Sequence, residues 1–95
     1  MTRDGDRVSL SGPINLQTVP AVLRFGLDSF ADGARIVDFA AVTEVDSAAV
    51  AMTIEWMRAH PVGASDTSAL QFLNLPEGFV SLARLYGVAE LLPAR

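Results

Sequence analysis

Residues 37–50 read Val-Asp-Phe-Ala-Ala-Val-Thr-Glu-Val-Asp-Ser-Ala-Ala-Val, an apolar strand followed by a short connection and the start of a helix. Aspartate and serine are favoured just before a helix because their side-chain oxygens accept hydrogen bonds from its free amides. Asp46 or Ser47 is therefore predicted to cap this helix. The small residues Ala48 and Ala49 leave its first turn sterically open. Ser47 thus has a second interpretation, as a surface hydroxyl that a partner contacts or a kinase phosphorylates.

Strands are predicted on both sides of this motif. Polar and apolar residues alternate over Arg7–Ser11, which is typical of a half-buried strand, and Gly12-Pro13 interrupts the pattern. The short, mostly apolar runs Arg35–Phe39 and Ala69–Leu73 predict two more strands. Ala40–Val45 is interpreted as the connection that leads from the second strand to the helix.

A helix is predicted after each strand, with a capping residue at its start and a glycine or proline near its end. The start and end residues are Thr18 and Asp32-Gly33, then Asp46 or Ser47 and Ala59, then Asn74 and Gly87. His60 is predicted to interact with the C-terminal end of the second helix dipole. Val88–Leu92 is a short closing segment and a candidate edge strand. Strands that alternate with helices predict one α/β domain over residues 1–95, a small, mainly parallel sheet with helices packed mostly on one face.

The second helix is apolar almost all round, which requires burial by its own core or by a partner. One stripe, formed by Val50, Ile54 and Met57, suffices to face the sheet. A second stripe, formed by Ala48, Ala49, Met52 and Trp56, is left over. Methionine and tryptophan are enriched at protein interfaces. Either the chain folds over this second stripe, or a partner protein binds it.

Composition excludes several classes of function. The chain has 95 residues, no cysteine and one histidine, which excludes disulfide scaffolds and thiol catalysis and leaves little room for a histidine metal site or a Ser-His-Asp triad. A formal net charge of −4 without a basic stripe predicts no nucleic-acid partner. No apolar run approaches the ~20 residues of a membrane span, and Met1–Asp6 does not resemble a signal peptide. We therefore expect a cytoplasmic protein without direct membrane insertion.

Catalytic chemistry finds little support in the sequence. Glu44 and Asp46 are two residues apart and could be read as an acid–base pair, but no histidine or metal-spaced cluster accompanies them. A glycine-rich phosphate loop is also missing. We predict that the chain is not an enzyme, has no catalytic residues and binds neither a metal nor a cofactor.

The motif in residues 37–50 resembles the signature of STAS domains, the anti-sigma-factor-antagonist domains. Their pattern is an apolar strand that ends in Asp, followed by Asp-Ser/Thr and two small residues, matched here by Val37-Asp38-Phe39 and by Asp46-Ser47-Ala48-Ala49. Ser9–Gly12 is similar to the family's opening strand and turn. The C-terminal run Leu82–Pro93 is similar to the ending of the MlaB branch, the small STAS subunits of Mla phospholipid ABC transporters. Alanine stands at positions 48 and 49, where glycine is common in the family.

The resemblance implies a non-catalytic cytoplasmic subunit, peripherally associated with the inner membrane, that binds and supports the ATPase of a phospholipid-transporting ABC complex. Through the ATPase it would contact the membrane permease and contribute to outer-membrane lipid asymmetry. The predicted partner interface comprises Glu44, Asp46, Ser47, Ala48, Ala49, Met52 and Trp56. Ser47 is also the candidate phosphorylation site.

A second function uses the same surface. The chain would then be an anti-sigma-factor antagonist, and the serine kinase that phosphorylates Ser47 would also be the anti-sigma factor. Neighbouring genes discriminate between the two functions. Permease, ATPase and lipid-binding genes indicate the transporter, whereas kinase and sigma-factor genes indicate the regulatory pathway.

Overall fold

The computed structural model describes residues 1–59 and 70–87. In this part of the chain the strands are β1 (Thr2–Asp4), β2 (Arg7–Ile14), β3 (Ile36–Val45) and β4 (Gln71–Leu73), and the helices are α1 (Val19–Ala31), α2 (Ser47–Ala59) and α3 (Glu77–Leu85). The strands form one sheet in the order β1-β2-β3-β4. The pair β1–β2 is antiparallel, and the pairs β2–β3 and β3–β4 are parallel. The predicted α/β fold with a mainly parallel sheet is confirmed, whereas the predictions for His60 and Val88–Leu92 lie outside the described residues.

The helices cover one face of the sheet. β2, β3 and β4 lie side by side in the sheet, in the same order as in the chain. The two crossovers between them have the same hand, so α1 and α2 lie on the same side of the sheet. The buried positions alternate along the strands accordingly: Val8 and Leu10 in β2, Val37 and Phe39 in β3, and Phe72 in β4. The third helix adds Phe79, whose ring centroid lies 5.7 Å from that of Phe39. The core therefore lies between this face and the helices.

The strand β3 is twice as long as expected, so the prediction of Ala40–Val45 as a connection is wrong. Its register with β4 ends at Asp38, opposite Leu73, but its pairing with β2 continues to Val45. The pairing of β2 with β3 shifts register between Ser9 and Ser11 and again after Gly12, and such irregularities bend a pair of strands. Beyond β4 the strand is mostly exposed, which explains why it lacks the apolar pattern of a central strand.

The sequence gives no apolar signal for β1, because the strand is polar and lies at the edge of the sheet. It is held by its turn and by one side chain. Gly5 has a φ of +63° at the turn into β2. The Arg3 guanidinium donates to the Asp32 carboxylate and to its carbonyl oxygen at 2.6 and 2.9 Å, which joins β1 to the end of α1.

The cap predicted for the third helix is corrected. Asn74 does not precede the helix directly: its φ of 57° places it in a left-handed turn, and Pro76 occupies the N-cap position. Asparagine tolerates this conformation better than most residues, which explains its presence after β4. The predicted glycine at the other end is confirmed, since Gly87 has a φ of +71° and its amide donates to the carbonyl of Arg84.

Candidate partner-binding groove

The chain itself buries most of the stripe of α2 that was predicted to be left over, which is one of the two outcomes left open above, and Val50 of the other stripe is buried as expected. Ala49, Met52 and Trp56, predicted to contact a partner, are at most 1% exposed and belong to the core. Ile54 and Met57, predicted to face the sheet, are only half-buried. A partner therefore cannot reach Ala49 or Trp56 without opening the domain.

The position of Trp56 shows why the helix is turned this way. Its Nε1 donates to the carbonyl of Leu23 in α1 at 3.1 Å. Its ring packs edge-on against Phe30, with centroids 5.4 Å apart. The backbone of Gly26 leaves the room for the indole, because a Cβ there would lie 2.4 Å from the ring. The fit between α1 and Trp56 thus fixes which face of α2 is buried.

The opposite side of α2 forms one wall of an open groove of about 690 Å³. The groove is mostly apolar, and α1, α2 and the end of α3 contribute to it. Its lining residues are Leu16, Val19, Leu23, Asp46, Ser47, Ala48, Val50, Ala51, Met52, Ile54, Glu55 and Tyr86. Of the predicted interface, Asp46, Ser47, Ala48 and Met52 thus line the groove, Met52 from its buried floor.

Asp46 makes the helix cap, which decides between the two capping residues that the sequence allowed. Its Oδ1 accepts the amide of Ala48 at 2.8 Å, and its carbonyl oxygen accepts the amide of Ala49. Ser47 is the first residue of α2 and is exposed. Glu44 is also exposed, near the end of β3. Glu44, Asp46 and Ser47 thus fall within four consecutive positions at the junction of β3 and α2.

The cap of α1 differs from the prediction in its chemistry. Thr18 occupies the N-cap position but makes no side-chain cap hydrogen bond. Instead, Oδ1 of Asn15 accepts the amides of Gln17 and Thr18 at 3.0 and 3.1 Å, and the Thr18 hydroxyl donates to the carbonyl of Pro13. The loop between β2 and α1 is thus a compact turn.

The groove offers a mostly apolar surface with few polar side chains. The ionisable or hydroxyl-bearing residues of its lining are Asp46, Ser47, Glu55 and Tyr86. The lining includes no histidine, lysine or arginine. Within residues 1–59 and 70–87 no cluster of acidic or histidine residues could hold a metal ion. In the same residues no helix is long and apolar enough to cross a membrane.

Asp38, the aspartate that ends the apolar part of the motif, lies on the other face of the sheet. Its Oδ1 accepts the Asn74 side-chain amide at 3.0 Å and the Ala40 amide at 2.9 Å. These two hydrogen bonds, with a smaller effect of the Arg7 charge, hold the pKa of Asp38 below its ordinary value of 3.8. The carboxylate thus ties β3 to the turn after β4, and its role is structural.

We expect this pair to make part of the stability dependent on pH. A carboxyl whose pKa is lowered by folding stabilises the fold above its unfolded pKa, and this contribution disappears as the pH falls through the folded pKa. Asn74→Gly keeps the left-handed turn but removes the amide donor, so the pKa of Asp38 should rise towards 3.8. The stability difference between wild type and Asn74→Gly should shrink as the pH falls below 3.8, apart from a constant glycine entropy cost. Chemical denaturation across this range measures it, and a difference independent of pH would contradict the assignment.

The predicted interface lacks eight of the twelve residues that line the groove, among them the exposed Leu16 and Tyr86. Leu16 is 76% exposed in the β2–α1 turn, and Tyr86, just after α3, is 54% exposed. Leu16 lies between Asn15 and Gln17, outside any periodic pattern, and Tyr86 directly precedes the glycine that ends the third helix. A large apolar residue in a polar turn was the available signal.

Comparisons with known proteins agree with this architecture. The chain matches a family model described as "Mlab, STAS domain" over residues 1–93. It is also similar to a solved structure titled "Structure of the Anti-Sigma Factor Antagonist SpoIIAA in its Unphosphorylated Form", with a TM-score of 0.67 and 14% identity over 100% of this chain and 84% of that one. At this identity the likeness shows the fold alone. A search of curated proteins gives no significant match.

The family match covers nearly the whole chain, and the structural match reproduces its α/β architecture. The predicted resemblance is therefore confirmed. STAS domains are generally non-catalytic. This chain belongs to the STAS domain family, in the branch described as Mlab.

Proposed function

We propose that this chain is the non-catalytic STAS subunit that binds and supports the ATPase of an ABC transporter of the Mla phospholipid type. It would act in the cytoplasm and reach the inner membrane only through the ATPase and its permease. The observation that carries the proposal is the open, mostly apolar groove at the start of α2, in a chain whose family model is of the Mlab type. Exposed apolar surface of this kind marks protein interaction sites.

The shape of the groove supports a protein partner. Leu16 and Tyr86 are large, mostly exposed apolar side chains on its lining, and Val50 and Met52 form a buried apolar floor. A partner's apolar side chain that enters the groove would be covered on several sides. Such central, desolvated anchors carry most of the binding energy in protein interfaces.

Charge narrows the kind of partner surface. Asp46 and Glu55 are the charged residues of the lining, and Glu44 is exposed close to Asp46 in the chain. Arg58 pairs with Glu55 at 2.9 Å and offsets only that carboxylate. An acidic partner surface would therefore be repelled, and a further carboxylate in the lining would find no cation there to pair with.

The test is co-purification of the tagged full chain from its own cells after mild detergent extraction, with identification of the bound proteins. We expect the ATPase and permease of one ABC transporter. The purified ATPase subunit is then titrated with the chain to measure the dissociation constant. Recovery of a serine kinase in place of an ATPase would overturn the proposal.

A charge placed in the groove should weaken this complex. Ala51 is exposed and lies in the lining, so Ala51→Glu adds a carboxylate beside Asp46 and Glu55 without disturbing the core. We expect the dissociation constant for the ATPase to rise at least about tenfold. Ala21→Glu is the matched control, because Ala21 is exposed on α1 and outside the lining. Equal affinities for the two variants would place the interface elsewhere.

The alternative function is that of an anti-sigma-factor antagonist. The exposed hydroxyl of Ser47 at the start of α2 favours it, since a kinase could reach this side chain. In that case the recovered partner would be a serine kinase and ATP would label Ser47 in its presence. The Mlab description of the family model favours the transporter subunit.

A further inference from the structure

The turn between β2 and α1 is tied to the start of α2 by a hydrogen bond from a backbone amide to the Asp46 side chain, next to the backbone bond from the Asp46 amide to the carbonyl of Ile14 at 3.3 Å. Of the amides in residues 15–18, three bond inside the turn: Asn15 to the Thr18 hydroxyl at 2.9 Å, and Gln17 and Thr18 to the Asn15 side chain. The amide of Leu16 instead donates to Oδ2 of Asp46 at 3.2 Å. Leu16, whose side chain is 76% exposed, is thus held from the other wall of the groove.

Asp46 divides its two carboxylate oxygens between two elements. Oδ1 caps α2 through the amide of Ala48, and Oδ2 holds the amide of Leu16. A cap alone needs one oxygen, so asparagine or serine would serve as well. Only a carboxylate provides a second acceptor oxygen for the Leu16 amide. An asparagine side chain would present an N–H donor at that position, and a serine would have no second acceptor in reach.

We infer that Asp46 is a positioning residue of the binding groove, which fixes Leu16 as one wall against the start of α2. Leu16 is 76% exposed, so few packing contacts of its own hold its side chain. Holding its backbone reduces the conformational freedom that is lost when a partner binds, and this raises affinity without a new contact. The identity of the partner in this inference rests on the proposed function, whereas the hydrogen bond from Leu16 to Asp46 does not depend on it.

The first experiment uses the free full chain. In Asp46→Asn and Asp46→Ser the cap on α2 remains, so the thermal midpoint should change little. Amide hydrogen exchange at Leu16 should accelerate about tenfold, as expected on loss of a hydrogen bond to a charged acceptor, whereas the amides of Gln17 and Thr18 should keep their rates. Unchanged exchange at Leu16 in both variants overturns the inference, whatever partner the chain has.

The second experiment is a double-mutant cycle with the purified ATPase subunit. Leu16→Ala and Asp46→Asn should each weaken binding, and the double variant should bind like Leu16→Ala alone, because Asp46 acts through Leu16. Additive effects would show that Asp46 contacts the partner directly and would overturn the positioning role. If wild type binds no ATPase, the proposed function fails, and exchange at Leu16 still decides the inference.

Discussion

Trp56→Ala is expected to lower the free energy of unfolding by about 3–5 kcal/mol, a large part of the 5–15 kcal/mol typical of small domains. The indole is fully buried, packs against Phe30 and Phe72, and satisfies the carbonyl of Leu23. Its removal leaves a cavity between α1 and α2 and takes away the hydrogen bond from the indole to the Leu23 carbonyl. Denaturation at neutral pH, followed by circular dichroism, measures the loss. A variant within about 1 kcal/mol of wild type would contradict the burial of Trp56.

The fit with Gly26 provides the control for this prediction. Gly26→Ala should destabilise wild type by about 1–3 kcal/mol despite the better helix propensity of alanine, since its Cβ would overlap the indole. In the Trp56→Ala background the overlap is gone, so the same substitution should be neutral or stabilising. Equal effects in both backgrounds would show that the two residues do not interact. Trp56 variants are therefore tests of the core and do not report on the interface.

The motif in residues 37–50 could be read from the sequence because its signals are local. A capping aspartate, small residues and an apolar run identify the start of α2 within one residue, and they also carry the family resemblance. The strand and helix order followed from the same kind of signal. The α/β fold was therefore predictable from the chain alone.

The orientation of α2 was not predictable from that helix, because both of its stripes are apolar. The deciding residue is Gly26, more than twenty positions earlier, whose missing side chain admits Trp56. A glycine inside a helix costs about 1 kcal/mol relative to alanine, so its presence indicates close packing. It does not identify the residue that packs there, which only the tertiary structure shows.

The groove was predictable in part. Asp46, Ser47 and Ala48 lie in it because they begin α2, which the motif identifies. Leu16 enters it through the turn at the end of an extended β2, and that extension depends on pairing with the exposed half of β3. Pairing between distant strands leaves little signal in either strand when one half is exposed. The start of α2 could therefore be recognised from the sequence, whereas Leu16 and Tyr86, which also line the groove, could not.

Ser47→Glu is expected to retain the fold and to raise the dissociation constant for the ATPase about 100-fold. A carboxylate in the first turn of α2 interacts favourably with the helix dipole, so the thermal midpoint should hold. At the interface the same charge would be buried beside Asp46 without a partner, which costs several kcal/mol, and ~3 kcal/mol corresponds to about 100-fold. Titration of the ATPase with the purified variant measures the change.

Two control variants distinguish the effect of the new charge at position 47 from the loss of the serine hydroxyl and from the effect of a charge placed elsewhere on the surface. Ser47→Ala should bind like wild type and lose at most about 0.5 kcal/mol of stability, less than a capping serine would, because Asp46 makes the cap. Ser81→Glu is the same substitution at an exposed position of α3 outside the groove lining, and it should leave affinity unchanged. Wild-type affinity of Ser47→Glu would place Ser47 outside the interface. A phosphate at Ser47 would add a larger charge at the same point and should therefore release the partner more completely.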